Sequence, residues 1–372
     1  MRAPFKDGAT NTKQVGEEMV KDHLVLPRRD ILKMGGAGLL GTFIAAATLE
    51  GAGASQTASI KNIKANLHKL RIGEFNPNYA SALGYRMAEA LGYFKEHGID
   101  EINVTESDQY IAGLLGDSLD ITRVDTDSIM NAAARSGRPF KYISCYRDRE
   151  WWIMGVRKGI NTAADLKGKK ISGGPLDSHN TWVMQQVVKQ LGLDPAKDVE
   201  FVPTSGGSDK RLMALLNGSI DAASVFPRHE AGLKAGGGKF MYHKAHAAPQ
   251  EGYGVMADWL AKNEDTVYAF VLAEIKARQW VFKPANRDKT FEIMEKFGYK
   301  ITPAFKASYD QTLDQMSPDG GFANAESLTE FLSPEVATGK IPKDFDWHKV
   351  VDMKYVWAAQ KALGLPQRPA KL

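Results

Sequence analysis

The chain has 372 residues, 43% hydrophobic and 25% charged, an ordinary globular composition that excludes a disordered or fibrous chain. Its 48 basic and 44 acidic residues leave a net charge of +4 with no basic stripe, so nucleic acid is not an expected partner. A lone cysteine, Cys145, excludes an internal disulfide framework, and the length allows two domains with cores of their own.

The first 54 residues do not read as fold. Arg28-Arg29-Asp30-Ile31-Leu32-Lys33 precedes the uncharged run Met34 to Leu49 and then Ala52-Gly53-Ala54, which is the order of a secretory signal: basic, apolar, small-residue cleavage site. The arginine pair followed by Ile-Leu-Lys resembles the twin-arginine export motif, with Ile31 where Phe is commoner. The apolar run is Gly- and Ala-rich and short for a membrane span. Residues 1–54 are therefore expected to be an export signal and 55–69 a linker, with the remainder periplasmic.

The first strand is predicted at Leu70–Phe75, followed by the turn chemistry of Asn76-Pro77-Asn78-Tyr79 and a helix over Ser81–His97. Strands at Ile102–Val104, Leu119–Val124 and Lys141–Cys145 alternate with helices near Gln109–Leu115 and Asp127–Arg135. Such alternation predicts a mainly parallel sheet covered on both faces. The segment Trp151–Val156 reads as a crossing. A second run repeats the layout: strand Lys169–Ser172, helix Asn180–Leu191, strand Val199–Val202, helix Lys210–Leu216 and strand Ile220–Val225. The phrase LLGDSLDI (Leu114–Ile121) matches LLNGSIDA (Leu215–Ala222), and the spacing back to the first strand of each run agrees, so two lobes of similar build are expected. Gly252–Met256 is a plausible return strand. Helices are predicted beyond it at Thr266–Phe282, Lys289–Phe297, Pro303–Gln315, Ala325–Leu332 and Trp347–Leu363. The boundaries that follow are 70–152 for the first part of lobe one, 153–248 for lobe two and 249–372 for the return and a helical C-terminal extension. Two lobes joined by two crossings make a cleft that closes about a hinge.

Several phrases carry a family resemblance: Arg71-Ile72-Gly73, the stretch Leu91-Gly92-Tyr93-Phe94-Lys95-Glu96-His97-Gly98-Ile99, Leu115–Ile121, Asp165-Leu166-Lys167-Gly168-Lys169-Lys170-Ile171, and Leu216–Ala222. In combination they resemble type II periplasmic solute-binding proteins of the alkanesulfonate, taurine, nitrate and thiamine-precursor group. The resemblance covers roughly Leu70 to Phe240. It implies a ligand held between the lobes, an inner-membrane ABC permease with its ATPase as partner, a monomer, and neither cofactor nor catalytic residues.

In open α/β sheets ligands sit beyond the carboxyl ends of strands. That rule selects Glu74, Asn76 and Tyr79 after the first strand, Asp125 and Thr126 after the third, and Arg147, Trp151 and Trp152 after the fourth. Lobe two contributes Ser178, Asn180 and Trp182, where a strand, the small turn Gly173-Gly174-Pro175 and a capped helix expose backbone N–H groups, together with Arg228. Tyr253 joins them from the return crossing. Aromatic side chains with a few arginines favour a small organic anion with an aromatic part.

The rival readings are an enzyme of the same fold, of pyrimidine-synthase or decarboxylase type, and a ligand sensor for a membrane receptor. His179 and His229 are the candidate acid–base groups for the former. His243 and His246 read as a solvated loop, since no further ligand stands at metal spacing. Neither a nucleophile elbow, a phosphate-binding Walker motif nor a His-Glu-x-x-His motif occurs.

Overall fold

A computed structural model describes residues 60–74, 79–107 and 109–372. The expected export signal, Asn76 and residues 55–59 of the expected linker lie outside them. The elements run β1 (Lys69–Glu74), α1 (Tyr79–Ala90), α2 (Tyr93–Glu96), β2 (Glu101–Glu106), α3 (Tyr110–Leu115), β3 (Ile121–Asp125), α4 (Thr126–Arg135) and β4 (Phe140–Val156). The second run is β5 (Lys170–Ser172), α5 (His179–Gln190), β6 (Glu200–Phe201), α6 (Gly207–Leu216), β7 (Ala222–Ser224), α7 (Glu230–Ala235) and β8 (Lys239–Met256). Helices follow: α8 (Ala257–Lys262), α9 (Glu264–Val281), α10 (Arg287–Lys296), α11 (Pro303–Gln315), α12 (Ala325–Ala337) and α13 (Lys354–Leu363).

The strands form one eight-stranded sheet in the order β2-β1-β3-β8-β4-β7-β5-β6. Within β2-β1-β3, and again within β7-β5-β6, neighbours are parallel. The order β2-β1-β3-β8 is thus mirrored by β6-β5-β7-β4, which is the internal repeat seen as topology. The repeated aspartates show why the two phrases match. Asp120 Oδ2 accepts the Arg71 N–H at 2.8 Å, and Asp221 Oδ2 accepts the Lys170 N–H at 2.8 Å. Each aspartate therefore clamps the start of its half's central strand.

The largest departure from expectation is at the crossings. Lys141–Cys145 and Trp151–Val156, predicted as separate segments, are one 17-residue strand, β4. The return strand predicted at Gly252–Met256 is the end of the 18-residue β8. The two pair antiparallel through the middle of the sheet, with register shifts between Tyr142 and Arg149 and again at Met154/Gly155. The polar run Arg147-Asp148-Arg149-Glu150 hides the strand in the sequence. It is tolerated because partners satisfy it: Arg147 faces Glu251 across the strands, and Asp148, 2% exposed, receives Arg368 Nη2 at 2.6 Å. Gly252 lets the strands approach, since a Cβ there would meet the Ser144 carbonyl oxygen at 2.2 Å.

Smaller differences have local causes. The helix expected over Ser81–His97 is broken at Gly92, whose φ of 77° turns the chain. Helix α12 runs past the predicted stop at Leu332 with Pro334 inside it. The start predicted for the last helix is instead a short 3₁₀ turn, after which the Tyr142 N–H donates to the Val350 carbonyl and the Asp352 N–H to the Tyr142 carbonyl. Residues 60–68, expected as linker, pack down: Ile60 and Ala65 are buried, and the Leu67 N–H donates to Thr266 Oγ1 at 3.0 Å.

One large core cluster joins β1–β3, the start of β4 and helix α9 with its neighbours. The other half has two smaller clusters, one per sheet face. Trp152, Met154 and Val156 of β4 enter one and Ile153 the other, the period-two alternation of a strand buried on both sides. Among the described residues no helix is long and apolar enough to cross a membrane.

Candidate functional site

Where β4 and β8 cross, side chains from both halves of the sheet surround a cleft with a cavity volume of about 420 Å3. From the first half come Asp125, at the end of β3, with Asp127 and Ser128 in the first turn of α4. The crossing strands supply Arg147, Glu150, Trp151, Gln250 and Glu251. From the second half come His179, Asn180 and Val183 of α5, with Ser224 at the end of β7 and Val225 and Phe226 after it. Gln315, Phe331, Pro334 and Glu335 close it from α11 and α12.

The α5 wall is built as its sequence dictates. Ser178 caps the helix, its Oγ accepting the Thr181 N–H at 3.3 Å. Gly173 allows the β5 end to lie against that helix start, because a Cβ there would meet Thr181 N at 2.3 Å. Asp177, one residue earlier, has a side chain that could cap a helix but is exposed and makes no cap here. The turn and cap therefore place His179 and Asn180 at the cleft.

Electrostatically the cleft is a lattice of carboxylates, most of them answered. Glu251 sits between β3 and β4, opposite Asp125 on one side and Arg147 on the other. Arg123 Nη2 reaches Glu251 Oε2 at 2.7 Å and Asp125 Oδ1 at 3.0 Å. Arg147 Nη1 reaches Glu251 Oε1 at 2.6 Å, its Nη2 donates to Gln315 Oε1, and the Tyr146 hydroxyl donates to Glu251. Glu150 accepts Trp152 Nε1–H at 3.1 Å and faces His179 Nε2 at 2.9 Å. Burial works against a charged His179, but the hydrogen bond and charge of Glu150, with Asp127 and Glu335 adding theirs, outweigh it and lift its pKa above the ordinary histidine value. Glu335 has Lys340 Nζ at 3.2 Å. Asp127 has the Ser128 N–H at 2.8 Å and no cation at salt-bridge distance among the described residues. Burial, and then the charge of Asp125, push its pKa up.

Of the residues expected from sequence, Asp125, Arg147, Trp151 and Asn180 line the cleft. The other described residues, Tyr79 apart, stand elsewhere. Thr126 is buried and its hydroxyl donates to Tyr142 at 3.3 Å. Glu74 and Tyr253 are both 0% exposed in the large core, Tyr253 packed against Tyr146 and Phe270. Trp152 is buried in a core cluster and Trp182 packs on it edge to face, with ring centres 5.6 Å apart. Ser178 is occupied as the helix cap. Arg228 lies outside the cleft lining, its Nη2 donating to Ser208 at 2.8 Å and its guanidinium 4.9 Å from the Phe226 ring. Tyr79 begins α1. Of the three arginines expected to receive an anion, Arg147 and Arg228 are thus engaged by the protein itself, and Arg149 does not line the cleft.

Sequence reasoning did not single out Gln250, Gln315, Phe331, Pro334 or Glu335 for the site. The helical stripes of α11 and α12 read as core packing, and nothing local shows that their ends return to the cleft. The histidine pair is also placed differently from expectation. It lies on β8, where His243 packs on Trp151 with ring centres 4.8 Å apart and His246 stacks on Trp152 at 3.7 Å. Burial lowers the His246 pKa to about 4, so it is neutral, and its Nε2 shares a hydrogen bond with Tyr242 Oη at 2.9 Å. His229 is buried against Asp209, away from the cleft lining. No group of residues able to hold a metal ion occurs among the described residues.

A family model described as NMT1/THI5 like matches residues 79–286. A Bacillus subtilis protein named as a binding protein, YtlA, is 24% identical over 296 residues, spanning 77% of this chain and 88% of its own. Among solved structures, the periplasmic sulfonate-binding protein SsuA of Methylobacillus flagellatus is similar with a TM-score of 0.62, at 19% identity over 82% of this chain and 97% of that one. The periplasmic nitrate-binding protein NrtA of Synechocystis PCC 6803 is similar with a TM-score of 0.52, at 16% identity over 83% of this chain and 92% of that one.

Proposed function

The chain belongs to the NMT1/THI5-like family, and from that premise we propose that it is the extracytoplasmic solute-binding component of an ABC importer. It captures a small organic molecule in the cleft and delivers it to a membrane permease and its ATPase. The observation that carries this reading is the cleft itself: walls from two halves of repeated build, on a floor of only two crossing strands. Binding then favours the state in which both walls touch the ligand, which is how affinity drives closure. The halves are read as 70–152 with 249–372, and 153–248, meeting near Trp152 on β4 and Ala248 on β8. The names of the sulfonate- and nitrate-binding neighbours and of YtlA support capture over turnover. The twin-arginine pattern in residues 1–54 supports export to the periplasm, and the protein is read as a monomer.

Trp151, Phe226 and Phe331 on the cleft wall suit a ligand with a planar or apolar portion. The decisive experiment is native mass spectrometry of the full chain purified without denaturant, with small-angle scattering before and after adding back any molecule released. A retained small molecule that contracts the radius of gyration on re-addition supports the reading. Retention of none, and no contraction with any candidate solute, sinks it.

A further inference from the structure

We infer that the solute taken by this cleft is a cation: an ammonium or amidinium nitrogen, held by Asp127, on a planar or apolar body that lies against the aromatic wall. The inference rests on the solute-binding reading above and adds the charge, which the sequence had assigned the other way.

Five carboxylates line the cavity, Asp125, Asp127, Glu150, Glu251 and Glu335, against Arg147 and His179 as the cationic lining groups. The pairing is uneven. Arg123 and Arg147 are spent on Asp125 and Glu251, His179 on Glu150, and Lys340 on Glu335. Asp127 is left facing the cavity with one backbone N–H for company. An anion entering would have to break Arg147 from Glu251, leaving a carboxylate that is 8% exposed short of one of its two guanidiniums. Removing a partner from a buried pair costs on the order of a hundredfold or more in an equilibrium constant. A cation breaks nothing and completes Asp127.

A second observation points the same way. Gln250 lines the cavity, and its Oε1 is buried with no hydrogen-bond partner among the described residues; the Trp151 indole N–H in the same lining is a buried donor in the same condition, so the solute carries an acceptor as well. A lone buried acceptor is costly unless a donor arrives, and ammonium and amidinium groups are donors only. Trp151, Phe226 and Phe331 line the same cavity, and aromatic rings favour a cationic or planar partner over an anionic one.

The test is calorimetry on the full chain with four probes of one shape: benzamidinium and benzylammonium against benzoate and benzenesulfonate. Saturable heat with the two cations and none with the anions supports the assignment, as does a loss of at least tenfold in cation affinity in Asp127→Asn. Glu335→Gln, with thermal melts of both variants, guards against misfolding of the first: it should weaken the cations by a smaller factor. Binding of the anions alone, or Asp127→Asn binding the cations within twofold of the parent, overturns it. Native mass spectrometry separates the two levels of failure. An anion or neutral solute retained in the cleft overturns the charge and leaves solute capture standing; no bound molecule and no heat from any probe removes both.

Discussion

Replacing Glu251 by Gln tests the charge lattice at its most connected point. The carboxylate is 8% exposed and is shared by Arg123, at 2.7 Å, and Arg147, at 2.6 Å. Glutamine keeps the shape but removes the charge that both guanidiniums face. Losing one partner of a buried ion pair costs about 3–5 kcal/mol, because the other charge is left unanswered. The lower end applies here. Arg123 keeps Asp125 at 3.0 Å, and the Arg147 side chain, 26% exposed, can take up water. With about 2.1 cal/mol/K of unfolding entropy per residue, a loss of about 3 kcal/mol corresponds to a fall in melting temperature of about 4–5 °C for a chain of this size. Thermal unfolding followed by circular dichroism, with urea titration at 25 °C as a check, measures it. The double variant with Arg147→Met should recover part of the loss, since it removes the stranded charge as well. Glu251→Gln alone should also acquire affinity for benzoate, because Arg147 then faces the cleft without its counter-charge. A melting temperature within about 1 °C of the parent's, with no new anion binding, would refute the reasoning: Glu251 would not be the carboxylate holding these arginines.

His179 supplies a pH dependence. Its folded pKa is raised by Glu150, so its contribution to stability is complete below the unfolded histidine pKa and disappears as pH rises through the folded value. The parent should therefore lose stability across that window relative to His179→Gln, whose melting curve should be flatter; parallel pH profiles would contradict this. Cys145 is 0% exposed and burial drives its thiol pKa up, so a water-soluble disulfide reagent should label it only once the chain is unfolded. Labelling of the native protein at the rate of a free thiol would show that β4 opens. Gly252→Ala should destabilise by about 1–3 kcal/mol or more, as overpacking does, because its Cβ would lie 2.2 Å from the Ser144 oxygen. A melting temperature equal to the parent's would mean that the strands can part there without cost.

Much of the fold was legible, and for a physical reason. Short strands in each half carry compact apolar runs, and the paired aspartates Asp120 and Asp221 mark the same clamp twice. What the sequence concealed were features satisfied only at a distance. The charges of Arg147 and Asp148 look like a loop until Glu251 and Arg368 are brought to them. Aromatic residues misled in the same way. Trp152, Trp182 and Tyr253 sit on segments leading to the cleft, but their burial is decided by strand parity and helix face, which place them in the cores. The loop rule found the right neighbourhoods; which alternate residue faces the cavity needed the register of β4, and that register is irregular. Charge was the hardest to read, since the arginines are visible in the sequence and their partners are not.

The two long strands also set an order of assembly. β3 has β8 as its neighbour, and the first half of β4 pairs with the last part of β8, so the first half of the sheet must wait for residues near the end of the second. Until β8 is present, β3 is an open edge with unpaired backbone groups, the kind of edge that recruits other chains. The contacts that close it are long-range and therefore slow to form. A chain truncated after Val156 should thus be prone to aggregate, whereas one ending after Met256 has every strand of the sheet. The strands that frame the cleft are also the last stitch in folding it.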